Sequence, residues 1–301
     1  MAATAREVKK RIQSVKNIAQ ITRALQAVSA SKVQRAVQMV EATRPYATKA
    51  WEVLTHLAQD PLRRQLHPLL APREEVRNTA VVLITADRGL AGPYNTEILL
   101  ATHRRFHEHP VPVQWVTVGR KGRDYVARRR YNLLADFSGL ADPPTYVDVS
   151  PVGRLVVEEY LAENVDEVYV VFMDFISFMR QEVRIQKLLP LELDAGETAE
   201  GVLEARVTPS QLAYIYEPDP DTLLSEIVPR FIQLQIYRAV LEARASEHAA
   251  RMVAMKRATD NATELAGLLQ LEYNKARQQG ITRELMDIVG GAEALRKQRE
   301  G

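Results

Sequence analysis

The most constraining feature of the sequence is a long helical pattern at each end of the chain. From about Thr4 to Leu57 there is no glycine and one proline, Pro45, and apolar or small residues recur at alternating steps of three and four. This spacing is typical of a heptad-type helix. A second such pattern follows Glu217-Pro218-Asp219-Pro220 and continues to about Lys297. Two long amphipathic helices in one chain predict an antiparallel, left-handed coiled coil between them.

The patterns also predict which residues form the seam of this coiled coil. In the first helix they are Ile18, Ile21, Leu25, Val28, Ala47, Trp51, Leu54 and Ala58. In the second helix they are Leu241, Ala245, His248, Met252, Met255, Thr259, Ala262, Ala266, Leu269, Tyr273 and Ala276. The seam is rich in small residues and methionine rather than leucine, so it gives a narrow core. One explanation is that another molecule encloses the outer faces of the pair.

Two residues are expected to shape the ends and the path of these helices. Pro45 should bend or divide the first helix, because it lacks a backbone donor and crowds the preceding turn. Asp221 is the expected N-cap of the second helix.

Between the helices the pattern changes to short β-rich runs that alternate with helical stretches. Strands are expected at Thr79–Ile84, Val113–Val118 and Glu167–Phe172, and helices at Asn95–His107, Arg120–Arg130 and Val152–Asn164. Such alternation predicts a mostly parallel sheet with helical cover. A further pair, Gln181–Leu189 and Ala205–Tyr216, predicts an antiparallel extension of that sheet.

The fold class expected is therefore α/β plus a long α-helical coiled coil, with a Rossmann-like α/β domain in the middle of the chain. The expected domains are an N-terminal coiled-coil helix at 1–60, a proline-punctuated linker at 61–76, the α/β domain at 77–216 and a C-terminal coiled-coil helix at 217–301.

Composition excludes several kinds of function. Forty basic and thirty-eight acidic side chains leave a net charge of +2, so nucleic acid is not an expected partner. The chain has no cysteine, which excludes disulfides, thiolate metal sites and cysteine nucleophiles. No apolar run approaches the roughly twenty residues that span a bilayer. His248 lies on an apolar helical stripe and is expected to be buried or interfacial rather than a metal ligand.

The segment Asp87–Gly92 follows the first predicted strand, where an open α/β fold often binds a phosphate. It lacks the G-x-G-x-x-G fingerprint and a P-loop lysine. Two interpretations stay open. The chain is a nucleotide-binding α/β enzyme with coiled-coil arms, or the segment is a tight turn whose Asp87 and Arg88 position the domain against the coiled coil.

Several segments resemble signature regions of the gamma subunits of F-type ATP synthases, and they occur in order along the whole chain. They are Ile12–Val15 and Gln20–Lys32 near the start, Thr85–Asn95 after the first strand, and Ala245–Lys256, Ala258–Ala262 and Tyr273–Ala292 in the last helix. Two positions depart from the family pattern, because Ala91 and Pro93 stand where cysteine and glycine are common. Pro93 suits the first position of a helix.

This resemblance implies a non-catalytic subunit without a cofactor or metal, the central rotor shaft of a proton-translocating F-type ATP synthase. The implied partners are the alpha and beta subunits of the catalytic hexamer, the epsilon subunit and the c-ring of the membrane rotor. The implied location is the cytoplasmic face of a bacterial cell membrane, as a peripheral protein.

The resemblance also suggests contact residues for the catalytic ring. The early helix is strongly basic, with Glu7 as its only acid before Glu41. By composition alone this is either a basic rod that seeks an acidic surface or a solvated helix face. The residues that the resemblance assigns to the ring are Lys9, Lys10, Arg23, Leu25, Lys32, Arg277, Gln278, Thr282 and Glu284. A hydrated helix surface is the alternative for the last four.

Overall fold

The computed structural model describes residues 5–58, 65, 67–193 and 219–300, with side chains of the last helix described to residue 292. Its main elements are α1 (Ala5–Leu57), β1 (Thr79–Ile84), α2 (Tyr94–Phe106), β2 (Val113–Val118), α3 (Arg120–Arg128), β3 (Asn132–Asp136), α4 (Tyr146–Leu161), β4 (Glu167–Phe175), β5 (Gln181–Leu189) and α5 (Pro220–Glu300). The expected fold class, an α/β sheet combined with two long helices, is confirmed. The chain divides into two compact units, one of residues 1–28 and 252–301 and the other of residues 29–251.

The sheet of the larger unit has the strand order β3-β2-β1-β4-β5. β1 pairs in parallel with β2 and β4, and β2 pairs in parallel with β3. Every residue of β1 is buried, which suits the continuous apolar run of a central parallel strand. β5 pairs antiparallel with β4, which confirms the predicted antiparallel extension at Gln181–Leu189. The other predicted strand of that pair, Ala205–Tyr216, lies outside the described residues.

α4 begins six residues before the predicted start at Val152. Thr145 caps it, because its hydroxyl accepts from the amide of Asp148 while the carboxylate of Asp148 accepts from the amide of Thr145. Pro151 lies inside the helix and cannot donate to the carbonyl one turn earlier. The hydroxyl of Ser150 donates to that carbonyl, on Val147, at 3.3 Å.

α5 is buried on all sides from residue 231 to 249, except for the partly exposed Gln233. A helix without a solvent face belongs in the centre of a domain. α4 crosses it closely at Gly153, where a Cβ would lie 2.8 Å from the Cα of Gln233. The predicted N-cap Asp221 is wrong: Asp219 accepts from the amides of Asp221 and Thr222 at 3.0 and 2.9 Å. Pro220 takes the first helical position instead, since it needs no amide partner.

α1 is a single helix through Pro45, so this proline does not divide it. In the larger unit its predicted seam is confirmed, because Ala47, Trp51, Leu54 and Ala58 are buried in the core of the unit. The ring of Trp51 lies 5.6 Å from that of Phe231 on α5.

In the smaller unit α1 turns a different face to α5 from the one predicted. Ile18, Ile21 and Val28 are 49%, 60% and 53% exposed, so the predicted seam through them is wrong. The buried residues of α1 are instead Val8, Ile12 and Thr22. The reason is that the stripe of Ile12 and Thr22 faces α5, where the hydroxyl of Thr22 contacts that of Thr259.

The seam predicted for α5 is confirmed in the smaller unit, where Met255, Thr259 and Ala262 are buried. The hydroxyls of Thr22 and Thr259 are 2.7 Å apart. In the larger unit Lys32 and His248 both contact Asp142, while Trp51 faces Phe231, so residue numbers fall along α5 as they rise along α1. The two helices therefore run antiparallel, as predicted.

Candidate functional site

The carboxyl ends of β1, β2 and β3 meet at one edge of the sheet, and Asp87 joins the loops that follow them. Its Oδ1 accepts from the backbone amide of Arg120 at 3.0 Å and from that of Gly139 at 3.2 Å. Arg120 opens α3, so the protein's own carboxylate occupies a helix N-terminus that would otherwise attract an anion. Gly119, at φ 101°, is required in the turn before α3, because a Cβ there would lie 2.2 Å from the carbonyl oxygen of Thr85.

Arg244 attaches α5 to this edge. Its guanidinium lies 3.5 Å from Oδ2 of Asp87 and 3.0 Å from Oε2 of Glu247, and its side chain is 10% exposed. Burial acts to lower the pKa of Arg244, but the charges of Glu247 and Asp87 outweigh it and the pKa is raised. The hydroxyl of the buried Tyr94 donates to the carbonyl of Ala243 at 3.0 Å. The first turn of α2 is thereby joined to the same part of α5.

Asp142 links both long helices to the α/β domain. Its Oδ2 lies 2.7 Å from Nζ of Lys32 on α1, and its Oδ1 lies 3.2 Å from Nε2 of His248 on α5. The hydrogen bond from His248 is the main cause that holds the pKa of Asp142 well below its usual range; burial opposes it and Lys32 adds to it.

The partners of His248 assign its tautomer. Nη1 of Arg251 lies 3.3 Å from Nδ1 of His248, and a guanidinium can only donate, so Nδ1 is the acceptor. Nε2 then carries the hydrogen that Asp142 accepts. Arg251 also donates to the carboxylate of Glu247 and, at 3.3 Å, to the carbonyl of Gly89.

These contacts form one continuous polar network, which runs from Lys32 on α1 through Asp142, His248 and Arg251 to the loop after β1. No group of three or more metal-ligating side chains occurs in the described part of the chain. In this network each charge faces a partner within the protein. Such an arrangement is suited to holding two helices and three loops in fixed positions, since buried and paired charges resist displacement.

The predicted site residues fall into two groups in the structure. The first group lies in the larger unit: Asp87 and Lys32 belong to the polar network, Lys32 through its ion pair with Asp142, and Arg88 is exposed. The remaining predicted contact residues lie in the smaller unit: Lys9, Lys10, Arg23, Arg277, Gln278, Thr282 and Glu284 are exposed and Leu25 is partly buried.

Sequence reasoning missed several members of the network. Arg244, Glu247 and Arg251 carried a usable signal, because charged residues at steps of three and four interrupt an apolar helical run. Asp142 carried no such signal, since it lies in a loop far from both partners in sequence.

The smaller unit carries apolar side chains that no described part of the chain covers. On α5, Ile281, Leu285 and Ile288 follow one another at helical spacing and are 49%, 57% and 68% exposed. Further exposed residues on the same helix are Leu265, Leu268, Leu271, Met286 and Val289. Isolated exposed apolar residues are ordinary, but a series along one helix marks an interaction surface. None of the helices in the described part of the chain combines the length and apolar character that a membrane crossing requires.

Comparison with known proteins identifies the family of this chain. The family model described as ATP synthase matches residues 4–295. A protein named ATP synthase gamma chain from Dehalococcoides mccartyi (strain CBDB1) is 44% identical over 295 residues, which cover 97% of this chain and 99% of the relative. The chain belongs to the ATP synthase gamma chain family.

Other gamma chains show similar agreement. Those of Syntrophobacter fumaroxidans and Moorella thermoacetica are each 41% identical, over 298 and 293 residues. The resemblance inferred from the signature segments is therefore confirmed. Gamma chains form the non-catalytic central stalk of the F-type ATP synthase.

Solved structures show the same fold. One is a structure of the Euglena gracilis mitochondrial ATP synthase in rotational state 3, with a TM-score of 0.64, 20% identity and coverage of 99% of this chain and 96% of that chain. A second is the central stalk and c-ring of the Tetrahymena thermophila mitochondrial enzyme, with a TM-score of 0.60, 22% identity and coverage of 79% of this chain and 99% of that chain.

Proposed function

We propose that this gamma chain is the central rotor shaft of a proton-translocating F-type ATP synthase. It couples ion-driven rotation of the membrane c-ring to conformational change at the catalytic sites. Its partners are the alpha and beta subunits of the catalytic hexamer, the epsilon subunit and the c-ring. It works as a peripheral protein on the cytoplasmic face of the bacterial membrane.

The observation that carries this proposal is the exposed apolar series of α5, from Leu265 to Val289. An apolar helix face in water is unfavourable by about 25 cal/mol for each Å² left uncovered, so a partner that surrounds the helix gains from covering it. α1 also exposes apolar side chains to solvent, those of Ile18, Ile21 and Val28. A sleeve of subunits around the helix pair fits such a surface better than a partner on one side.

The basic and polar residues of the smaller unit support contact with the catalytic subunits. Lys9, Lys10 and Arg23 are exposed, so their charges are available to an acidic surface on a partner. Leu25 and the exposed group Arg277, Gln278, Thr282 and Glu284 complete the proposed contact set. Lys32 also belongs to this set, but its ammonium group is already paired with Asp142, so it should contribute least to contact with a partner.

The polar network of the larger unit supports a mechanical role. Residues 244–251 of α5 are held to the loop after β1 and, through Asp142, to α1. α5 is one continuous helix, so a torque on the α/β domain is carried along it. A shaft that lacks threefold symmetry presents different contacts to three chemically identical sites, and each contact shifts a local open or closed equilibrium.

The rival interpretation, a nucleotide-binding α/β enzyme, is less well supported. The backbone amide of Arg120 at the start of α3, which a bound phosphate would need as a donor, already donates to the carboxylate of Asp87. Arg244 and Arg251, two cations that face the loop after β1, are both engaged with carboxylates of the chain itself.

Reconstitution with the catalytic subunits tests the proposal. The chain should co-purify with them and support ATP-driven rotation, and a truncation after Lys275 should assemble but transmit less torque. Full torque from the truncated chain would remove the case for Arg277 and Gln278. Nucleotide binding or hydrolysis by the isolated chain at a stoichiometric site would favour the enzyme instead.

A further inference from the structure

Two of the six histidines lie one turn apart at the end of α2, away from the polar network. His103 and His107 occupy positions i and i+4, and their ring centroids are 4.4 Å apart. His107 is exposed and His103 is half-buried. Nδ1 of His103 is buried without a hydrogen-bond partner in the structure. Because that nitrogen is buried, a metal ion at the surface would be bound through the other ring nitrogen of His103, Nε2.

The separation of the rings fits a shared metal ion. With a metal to nitrogen bond of about 2.1 Å, each imidazole centroid lies about 3.2 Å from the metal. Two such ligands in cis positions at a right angle have centroids about 4.5 Å apart, and two ligands of a tetrahedral site have centroids about 5.2 Å apart. The observed separation of 4.4 Å is close to the right-angled case, so the centroid spacing suits a shared ion once the two ligand nitrogens turn towards it.

We propose that His103 and His107 form a bidentate surface site for a late divalent transition metal that takes right-angled nitrogen ligands, with Cu(II) bound most tightly. Imidazole nitrogens suit Cu, Ni and Zn, and Cu(II) stands at the top of the usual order of affinities. In the described part of the chain no third histidine, cysteine or acid completes a larger cluster. Water takes the remaining positions.

The surroundings of the pair have two opposite effects on its affinity for a metal ion. The pKa of His103 is lowered, first by burial of the ring and then by the nearby charges of Arg129 and His107. A lowered pKa favours the neutral imidazole, which is the form that binds metal. The guanidinium of Arg129 also repels a dication, so the site is weaker than a pair of histidines on an uncharged helix would be.

Titration of the purified full-length chain with Cu(II), followed by calorimetry and by electron paramagnetic resonance, tests the site. One Cu(II) should bind with a signal from two equatorial nitrogens. His107→Ala should lose one of these nitrogens and weaken binding by about tenfold or more, because a chelate becomes a single ligand. His107 is exposed, so this variant should keep its fold. His103→Ala should show the same loss, and Zn(II) should bind wild type more weakly than Cu(II).

His109→Ala is the matched control. His109 lies two residues beyond the pair, with its Nδ1 3.3 Å from the carbonyl of Val111 and its ring beside Phe106. Its removal should leave Cu(II) affinity and the nitrogen signal unchanged. Undiminished Cu(II) binding in folded His107→Ala, or in the variant that lacks both histidines of the pair, would overturn the proposal.

Discussion

Replacement of Asp142 by alanine should destabilise the larger unit by about 1.5 to 4 kcal/mol. Its ion pair with Lys32 joins side chains that are 31% and 41% exposed, so this pair contributes about 0.5 to 1 kcal/mol. The side chain of His248 is only 5% exposed, and loss of its acceptor leaves a buried N–H unsatisfied at a cost of about 1 to 3 kcal/mol. Urea unfolding at neutral pH measures the sum.

Two further variants separate these contributions. Asp142→Asn keeps an acceptor for His248 but removes the charge that faces Lys32, so its cost should be smaller than that of the alanine variant. Glu75→Ala is the control, because Glu75 and its partner Arg77 are more than 70% exposed, and it should change the free energy of unfolding by less than about 0.5 kcal/mol.

The pH dependence of this effect has a definite sign. The pKa of Asp142 is lowered in the folded protein, mainly by the hydrogen bond from His248, so its stabilisation is complete above the unfolded pKa of 3.8. It is lost as pH falls through the lower pKa of the folded state. The difference between wild type and Asp142→Ala should therefore persist down to about pH 4 and shrink below it. A neutral-pH difference no larger than that of Glu75→Ala would refute this reasoning.

Three other changes test separate parts of the fold. Burial raises the pKa of Glu242 from 4.5 to about 7. The stabilising contribution of this residue is therefore complete below pH 4.5 and is lost as pH rises through 7, by on the order of 3 kcal/mol. Urea unfolding of Glu242→Gln at pH 5, 7 and 9 should lack that loss. Gly153→Ala places a Cβ 2.8 Å from the Cα of Gln233 and should cost about 1 to 3 kcal/mol in the same assay. Thr22→Val breaks the buried 2.7 Å contact with Thr259 and should cost about 1 kcal/mol by urea unfolding. The double variant Thr22→Val and Thr259→Val should cost less than the sum of the two single changes.

Each of these changes has an outcome that would count against it. An unchanged decline in stability between pH 5 and pH 7 in Glu242→Gln would place the titration elsewhere. Gly89→Ala is the control for Gly153→Ala, since a Cβ at Gly89 meets nothing within 4 Å, and equal costs for the two would exclude a steric cause. Simple additivity of the two valine changes would show that the hydroxyls are not coupled.

The sequence predicted the long helices and most of the sheet because both depend on local periodicity. The short strand Asn132–Asp136 was missed, since only three of its five residues are apolar and both of its ends are exposed. The start of α4 was predicted six residues too late, at Val152, directly after Pro151. In the structure the hydroxyl of Ser150 donates to the carbonyl that this proline leaves without its helical donor.

The face that α1 presents in the smaller unit could not be read from hydrophobicity. Two stripes of α1 have heptad spacing, one with Ile18 and Ile21 and one with Ile12 and Thr22. Burial would favour the more apolar stripe in an isolated helix pair, but here the polar Thr22 is buried and Ile21 is 60% exposed. A sequence that assembles within a larger complex distributes its apolar residues between two contacts, and periodicity alone does not say which is internal.

The polar network was beyond sequence reasoning for a different reason. Asp142 lies 110 residues from Lys32 and 106 from His248, so the fold alone brings them together. The sequence left the motif that contains Asp87 open between a nucleotide site and a turn after a strand, and its partner Arg244 lies 157 residues further along the chain.

The central claim is that the helix pair turns inside the catalytic ring. The chain has no cysteine, so Leu271→Cys, at a position that is 68% exposed on α5, gives a single attachment point. A disulfide from it to a cysteine introduced on a facing catalytic subunit should stop steady-state ATP turnover in the reconstituted complex, and reduction should restore it. Full turnover with the disulfide completely formed would contradict the claim.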